Sequence, residues 1–399
     1  MLYRWRGQTL DVTSLADLQA LASDVRPTSR AAEQQARQGV DDLLLPGGSL
    51  GQLQRLAVWW AGVRRDVDAP PPRSVRVLVV AGDHGIAVRG VSALPLGHTA
   101  VVLRSLADRR SATHAAAAVH DVQVQVAEVD VAGPTGPRST PFDVGPSMSP
   151  ELLGDAVTQG AGLADSLADD GLDLLVLAEL NVAGSSTGAA VVGAAQRRRV
   201  LEVVGRGSGV DDVAWMRKAA AVREGLRRAR AGGRDVPALL GAVGSGDVAA
   251  TTALLLRCAA RGLPVVLDGP VSAAAAVLAH RVSPTSRQWW LFPERGDEPC
   301  VHRAQDALGM EPVHELGVRT GLGIAGLTAL GTLRTAVAVA TCGGTRAEFW
   351  PEDPEARDTP EAADAHDAAD APHVSVGPDA AVKPAEGAAV DPAEGAVSP

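Results

Sequence analysis

Gly205-Arg206-Gly207-Ser208-Gly209-Val210-Asp211-Asp212 places three glycines within five residues, just ahead of a stretch with helical apolar period, Val213–Ala231. Lys218 lies on the second turn of that stretch. A glycine turn with an acidic N-cap aims backbone N–H groups and a positive helix end at an anion, and the glycines let backbone approach a phosphate closely. The chain has one other lysine, Lys383, and otherwise uses arginine, so a lysine at this turn reads as a point charge for phosphate. The same turn would equally serve plain strand–helix packing. Other chemistry-bearing residues stand in comparable turns: Asp83-His84-Gly85, Glu179, Gly244-Ser245-Gly246-Asp247 and Asp268-Gly269. His84 is either a base or part of a turn capped by Asp83. Asp268 either binds ribose hydroxyls or caps the next helix. The nine histidines show no metal-ligand spacing, and neither a metal nor a cofactor is expected.

Apolar runs of strand length precede these turns: Ser74–Ala81, Val122–Val131, Leu172–Ala178, Val200–Val204, Ala238–Val243, Pro264–Leu267 and, last, Gln288–Phe292. Helical patterns follow at Pro150–Ala168 with Ser149 as N-cap, from near Thr187, and at Val213–Ala231, Val248–Ala260 and Val271–Ala279, then around 301–309 and 323–341. Before Pro70 the chain reads as three helices, Val12–Ser23, Ser29–Leu45 and Ser49–Arg65, the last with a capping box of Ser49 and Gln52. Repeated strand–turn–helix units predict an α/β fold: a mostly parallel, doubly wound, Rossmann-like sheet, with a smaller helical domain from the N- and C-terminal segments. The polar turns would gather at the carboxyl edge of the sheet, where such folds bind ligands. The expected division is 1–70, the N-terminal helical part of the small domain; 71–350, the α/β domain with the C-terminal helices; and 351–399, a disordered acidic tail.

Composition narrows the function. The net charge of −10 belongs entirely to residues 351–399, and the first 350 residues are neutral, so nothing argues for nucleic acid or an anionic membrane as partner. Cys258, Cys300 and Cys342 are too few and too scattered for a disulfide framework or a cysteine zinc site, which suits a reducing cytoplasm. The N-terminus lacks the apolar stretch of a secretory signal, and apolar runs such as Leu172–Ala178 are too short to span a bilayer.

The run Asp83-His84-Gly85-Ile86-Ala87-Val88-Arg89-Gly90-Val91-Ser92-Ala93-Leu94-Pro95 resembles a block of the nicotinate-nucleotide–dimethylbenzimidazole phosphoribosyltransferase family, which makes the lower-ligand nucleotide of cobalamin. Four further blocks follow in the family's order: Ala178–Ser186, Gly205–Asp212 with Lys218, Gly244–Ala250, and Pro264-Val265-Val266-Leu267-Asp268-Gly269. The resemblance covers roughly residues 75–335.

It implies a homodimer whose substrates are nicotinate mononucleotide and a benzimidazole-type base. It puts Lys218 on the phosphate, with donors from Gly184, Ser185, Ser186, Gly205, Gly207, Ser208 and Gly209. It puts Ser92 near the base, and Asp83, His84, Asp247 and Asp268 in the substrate site. Leu322 stands where the family's general-base glutamate is expected, and Leu94 and Val101 stand where an aromatic residue and a glutamine are expected. Glu179 is the surviving carboxylate placed to take the base's role, its bland alternative being a helix cap. Two readings follow: an active phosphoribosyltransferase, or a catalytically silent relative that binds an azole, its riboside or a nicotinate nucleotide as sensor, carrier or partner subunit.

The tail carries twelve Asp/Glu, two Lys/Arg and almost no large apolar side chains. Truncation after Trp350 is expected to leave ligand affinity and thermal midpoint unchanged in calorimetry, whereas a clear fall in either would mean that the tail docks on the body.

Overall fold

Val75–Gly82 and Leu174–Leu180 are apolar runs broken only by Arg76 and Glu179 and buried on both sides, the pattern of central strands in a parallel sheet. The computed structural model describes residues 2–3, 12, 14–132 and 136–349. Among these, six strands, β1 (Leu2–Tyr3), β2 (Val75–Gly82), β3 (Gln123–Asp130), β4 (Leu174–Leu180), β5 (Val265–Leu267) and β6 (Trp290–Leu291), pair in the order β1-β3-β2-β4-β5-β6. Every pair is parallel. The chain runs outward from β2 to β3, then returns to the other side of β2 for β4, β5 and β6. That reversal opens a crevice beyond the carboxyl ends of β2 and β4. The α/β architecture expected from the sequence is present. The expected acidic tail, 351–399, lies outside the described residues.

Helices cover both faces. On one, the directions of Cβ from Gly323 and Gly326 meet Val77, Val176 and Ala178, so the helix Ile324–Cys342 lies against β2 and β4. On the other, the direction from Gly82 meets Asp247, at the start of the helix Gly246–Arg261. The N-terminal helices Arg30–Asp41 and Gln52–Arg64 are tied to the C-terminal segment. Leu43 bridges Thr345, Arg346 N donates to Asp42 O at 2.9 Å, Leu44 N donates to Gly344 O at 3.0 Å, and Arg346 Nη2 donates to Leu45 O at 2.9 Å.

Several elements differ from the sequence expectation. Val200–Val204 is not a strand: Val200–Glu202 forms a 3-10 turn, held by the Glu202 carboxylate accepting from Arg199 N at 2.9 Å. Ala238–Val243 is not a strand but belongs to the helix Val236–Val243, whose N-cap Asp235 accepts from Ala238 N with Pro237 in the first turn. Five or six apolar residues before a glycine do not distinguish strand from buried helix. The turns 205–212 and 244–247 therefore follow helical segments. The Ser49/Gln52 capping box is absent: the N-cap of Gln52–Arg64 is Gly51, with no side-chain bond. Among the described residues one helix, Ile324–Cys342, is long and apolar enough to cross a membrane, with mean hydropathy 1.4, against the expectation that the apolar runs are too short. Its stripe of Ala325, Gly326, Leu327, Ala329, Leu330, Leu333, Ala336 and Val337 is buried in the protein, so it is a core helix here. Ser149 caps Pro150–Asp169 as expected, accepting from Leu152 N.

With aromatics at 3%, helices fill the core by close approach. A Cβ on Gly160, in Pro150–Asp169, would lie 2.0 Å from Ala250 O of the facing helix. Gly160→Ala is therefore expected to destabilise the protein by about 1–3 kcal/mol through overpacking, read from the denaturant midpoint. An unchanged midpoint would mean that the helix pair can separate at no cost.

Candidate active site

The glycine turn works by shape. Gly207 and Gly209 have φ of 55° and 92°, conformations that favour glycine. A Cβ on Gly207 would lie 2.3 Å from Ser185 Oγ and 2.9 Å from Lys218 Nζ, so the absence of a side chain lets both groups reach the underside of the turn. Asp211 then caps Asp212–Gly232 through Ala214 N at 2.7 Å. Lys218, on the second turn, is fully buried and donates to Ser185 Oγ at 2.9 Å. Ser185 opens a second helix, Gly184–Gln196, whose first N–H is held by Asn181 Oδ1 at 3.0 Å. One ammonium thus joins two helix N-termini. Burial lowers the Lys218 pKa, and the Glu298 carboxylate, 3.8 Å away, counteracts the shift.

Ser185, Gly207 and Glu298 border a cavity of about 750 Å³ at the carboxyl edge of the sheet. Of the expected site residues, Ser92, Glu179, Gly184, Ser185, Gly205, Gly207, Ser208 and Asp268 line it. Ser92 Oγ and Ser208 Oγ share a 3.0 Å hydrogen bond, tying the segment after Gly90 to the glycine turn. Lys218 lies directly behind Gly207, outside the lining, and Ser186 and Gly209 also stand off it. Leu322 is half-buried against the core, and its neighbours Thr320 and Gly321 line the cavity instead. Trp215, Phe292 and Val318, with Leu94, give it apolar walls suited to flat rings. Trp215 and Phe292 were not picked out from sequence, although Trp215, one helical turn past the N-cap Asp211, offered a signal.

Asp83, His84 and Asp247 form a buried support behind the site rather than its lining. His84 Nδ1 meets Thr187 Oγ1 at 2.6 Å and Nε2 meets Asp247 Oδ2 at 2.9 Å, with all three residues about 1% exposed. Burial pulls the His84 pKa down, but Asp247, with Asp83 and Asp130 behind it, outweighs that and raises it. Asp83 accepts from Thr99 Oγ1 and Ala132 N. Through Thr187 the imidazole anchors the first turn of Gly184–Gln196, the turn that carries Ser185.

Two acids face the cavity from strand ends. Glu179 Oε2 accepts from Val271 N at 2.7 Å and Ser272 N at 3.1 Å, capping Pro270–Val282, and Oε1 makes no hydrogen bond among the described residues. Burial raises the Glu179 pKa well above the usual range, Asp247 and Asp268 add to this, and the two N–H groups pull against it. Asp268 caps Ile324–Cys342, accepting from Gly326 N at 3.3 Å. Burial raises it to about 6 against the backbone donors Gly326, Ala325 and Gly323. Glu294, also buried at the rim, accepts from Leu316 N and Arg295 N and so holds the loop 316–321 in place. Among the described residues no group of three or more His, Cys, Asp or Glu is arranged to hold a metal ion.

A doubly wound sheet that brings two helix N-termini and strand-end acids to one cavity at its carboxyl edge, with a buried lysine behind the glycine turn, is the arrangement of an α/β ligand-binding fold, and the family model described as Phosphoribosyltransferase matches residues 25–348. A nicotinate-nucleotide–dimethylbenzimidazole phosphoribosyltransferase of Streptomyces avermitilis is 38% identical over 74% of this chain and 83% of its own length. That of Mycobacterium avium is 36% identical over 83% of this chain and 98% of its own. The solved structure of CobT from Thermus thermophilus superposes with a TM-score of 0.75 at 29% identity, over 80% of this chain and 98% of that one. The chain belongs to the nicotinate-nucleotide–dimethylbenzimidazole phosphoribosyltransferase family.

The Asp268 pKa generates a pH prediction. Raised from 3.8 to about 6, the folded carboxyl keeps its proton where the unfolded one has lost it, so its contribution to stability is present below about pH 4 and is lost as pH rises through about 6. In Asp268→Asn that dependence is absent. The stability of the variant relative to wild type should rise by about 2–3 kcal/mol between pH 4 and pH 7, measured by urea unfolding. A pH-independent difference would mean that Asp268 titrates normally.

Proposed function

We propose that the chain transfers the phosphoribosyl group of nicotinate mononucleotide to 5,6-dimethylbenzimidazole or a related azole, giving α-ribazole phosphate for the cobalamin lower ligand. The observation that carries this reading is the meeting of Ser185, Gly207 and Lys218 at the cavity that Glu179 also faces. An anion site and a base candidate then bracket the space a nucleotide and a flat base would share.

In the reaction the bond between C1′ and the pyridinium nitrogen breaks, and its electron pair returns to nicotinate, neutralising the ring without an acid. The ribose carbon passes through a cationic, oxocarbenium-like state. The unprotonated nitrogen of the azole bonds to C1′ from the opposite side, and the proton on its other nitrogen must leave. Glu179 is the acceptor we assign: Oε2 is fixed by the helix Pro270–Val282, which leaves Oε1 as the open oxygen. A buried carboxylate with a raised pKa is a stronger base than a solvated one. Leu94, Trp215, Phe292 and Val318 would hold the rings, and orientation between such walls supplies part of the rate.

The same reading makes the protein cytoplasmic and homodimeric. Free thiols at Cys258, Cys300 and Cys342 agree with the first. Exposed Leu96, Val101, Val213 and Met216 are apolar surface that a second copy would cover. A second reading, a silent binder, draws on Leu322 at the expected position of the base.

Purified protein with nicotinate mononucleotide and 5,6-dimethylbenzimidazole is expected to form the riboside phosphate, detected by mass. Glu179→Gln should slow single-turnover formation about a hundredfold or more, with folding checked by circular dichroism. Fast turnover indifferent to Glu179→Gln would remove Glu179 from the mechanism. Tight binding of both substrates with no product would establish the silent reading.

A further inference from the structure

The donors of the anion site already hold an anion of the protein's own. Gly207 N, central in the glycine turn, donates to Glu298 Oε1 at 2.5 Å. Glu298 Oε2 lies 3.8 Å from Lys218 Nζ and is buried with no hydrogen-bond partner. Glu298 comes from a distant segment, since it is the N-cap of Pro299–Leu308, and its side chain makes no bond to that helix. A Cβ on Gly205 would lie 2.6 Å from Glu298 Oε1, so the turn is shaped to admit this carboxylate. Both Glu298 and Gly207 border the cavity.

We propose that Glu298 is a specificity-determining residue: its carboxylate fills the phosphate subsite in the absence of nucleotide, so that only a ligand bearing a phosphate displaces it. The inference rests on the phosphoribosyl-transfer reading and adds to it the means of rejecting unphosphorylated ribosides. A carboxylate carries one charge and here leaves one oxygen without a hydrogen bond. A phosphate monoester brings nearly two charges and three acceptor oxygens to the same ammonium and N–H. A 5′-hydroxyl brings no charge and cannot replace the carboxylate. The displaced side chain also has somewhere to go: as N-cap of Pro299–Leu308 it can turn toward Cys300 N in the first turn, where Val301 N and His302 N are already held by Glu298 O.

Calorimetric titration of the full-length protein with nicotinate mononucleotide, inorganic phosphate and nicotinate riboside tests this. Glu298→Gln keeps the shape and removes the charge. It should bind the mononucleotide and phosphate about tenfold more tightly and gain by a larger factor for the riboside, which narrows the preference for the phosphorylated ligand. Glu298→Ala covers the case in which glutamine is not accommodated, with folding of both checked by circular dichroism. A wild type that binds the mononucleotide while both folded variants bind it equally or more weakly overturns the inference alone, and makes Glu298 a support for Lys218. Absence of mononucleotide binding in all three proteins overturns the functional reading together with the inference.

Discussion

A lysine ammonium buried beneath a turn has to be met by negative charge or by oxygen acceptors, and much of the site follows from that requirement. Lys218 is among the largest fully buried side chains of the protein. It reaches Ser185 on one helix and stands near Glu298 at the start of another. Removing water from the ammonium favours its neutral form, so its neighbours must restore the charge. Three chain segments distant in sequence are thereby brought to one point, and glycine at 205 and 207 is the steric condition for their meeting.

The same economy of space runs through the scaffold. With few aromatics, the core relies on Ala, Val and Leu, and its helices approach closely enough that glycines face backbone, as Gly160 faces Ala250 and Gly188 faces Pro270. Close-packed backbones position strand ends rigidly. That precision matters for Glu179 and Asp268, each of which caps a helix and faces the cavity at once. A carboxylate held by helix N–H groups has one oxygen fixed, so the direction of the other is set by the fold rather than by rotamer choice.

Much of this was legible in the residues. The turn 205–212 with Lys218 stands out by type and spacing as a meeting of glycine backbone and a cation, and the apolar runs of β2, β3 and β4 read as strands. The runs 200–204 and 238–243 did not, because short apolar stretches before glycine fit strand and helix alike; at 235–237 the Asp-Val-Pro cap was the better guide. Glu298 was invisible as a partner of this turn, since its link to Gly207 spans 91 residues. His84 shows the other limit. Its motif marks it out, but whether it faces a ligand or supports the first turn of Gly184–Gln196 depends on Thr187 and Asp247, which only the fold brings to its two nitrogens.

The capping of Ile324–Cys342 by Asp268 sets an order of events during synthesis. Glu179 N donates to Gly321 O, and Thr113 Oγ1 donates to Leu322 O, so β4 and the helix Ala112–Val119 lack these partners until the chain beyond residue 320 has left the ribosome. Until then the carboxyl edge carries acids without their helix donors and an apolar sheet face without its cover. Contacts this far apart in sequence form late, and a growing chain with an open sheet face is prone to aggregate. Late assembly of the pocket is therefore written into the topology, and a circular permutant placing Ile324–Cys342 early in the chain would change that order.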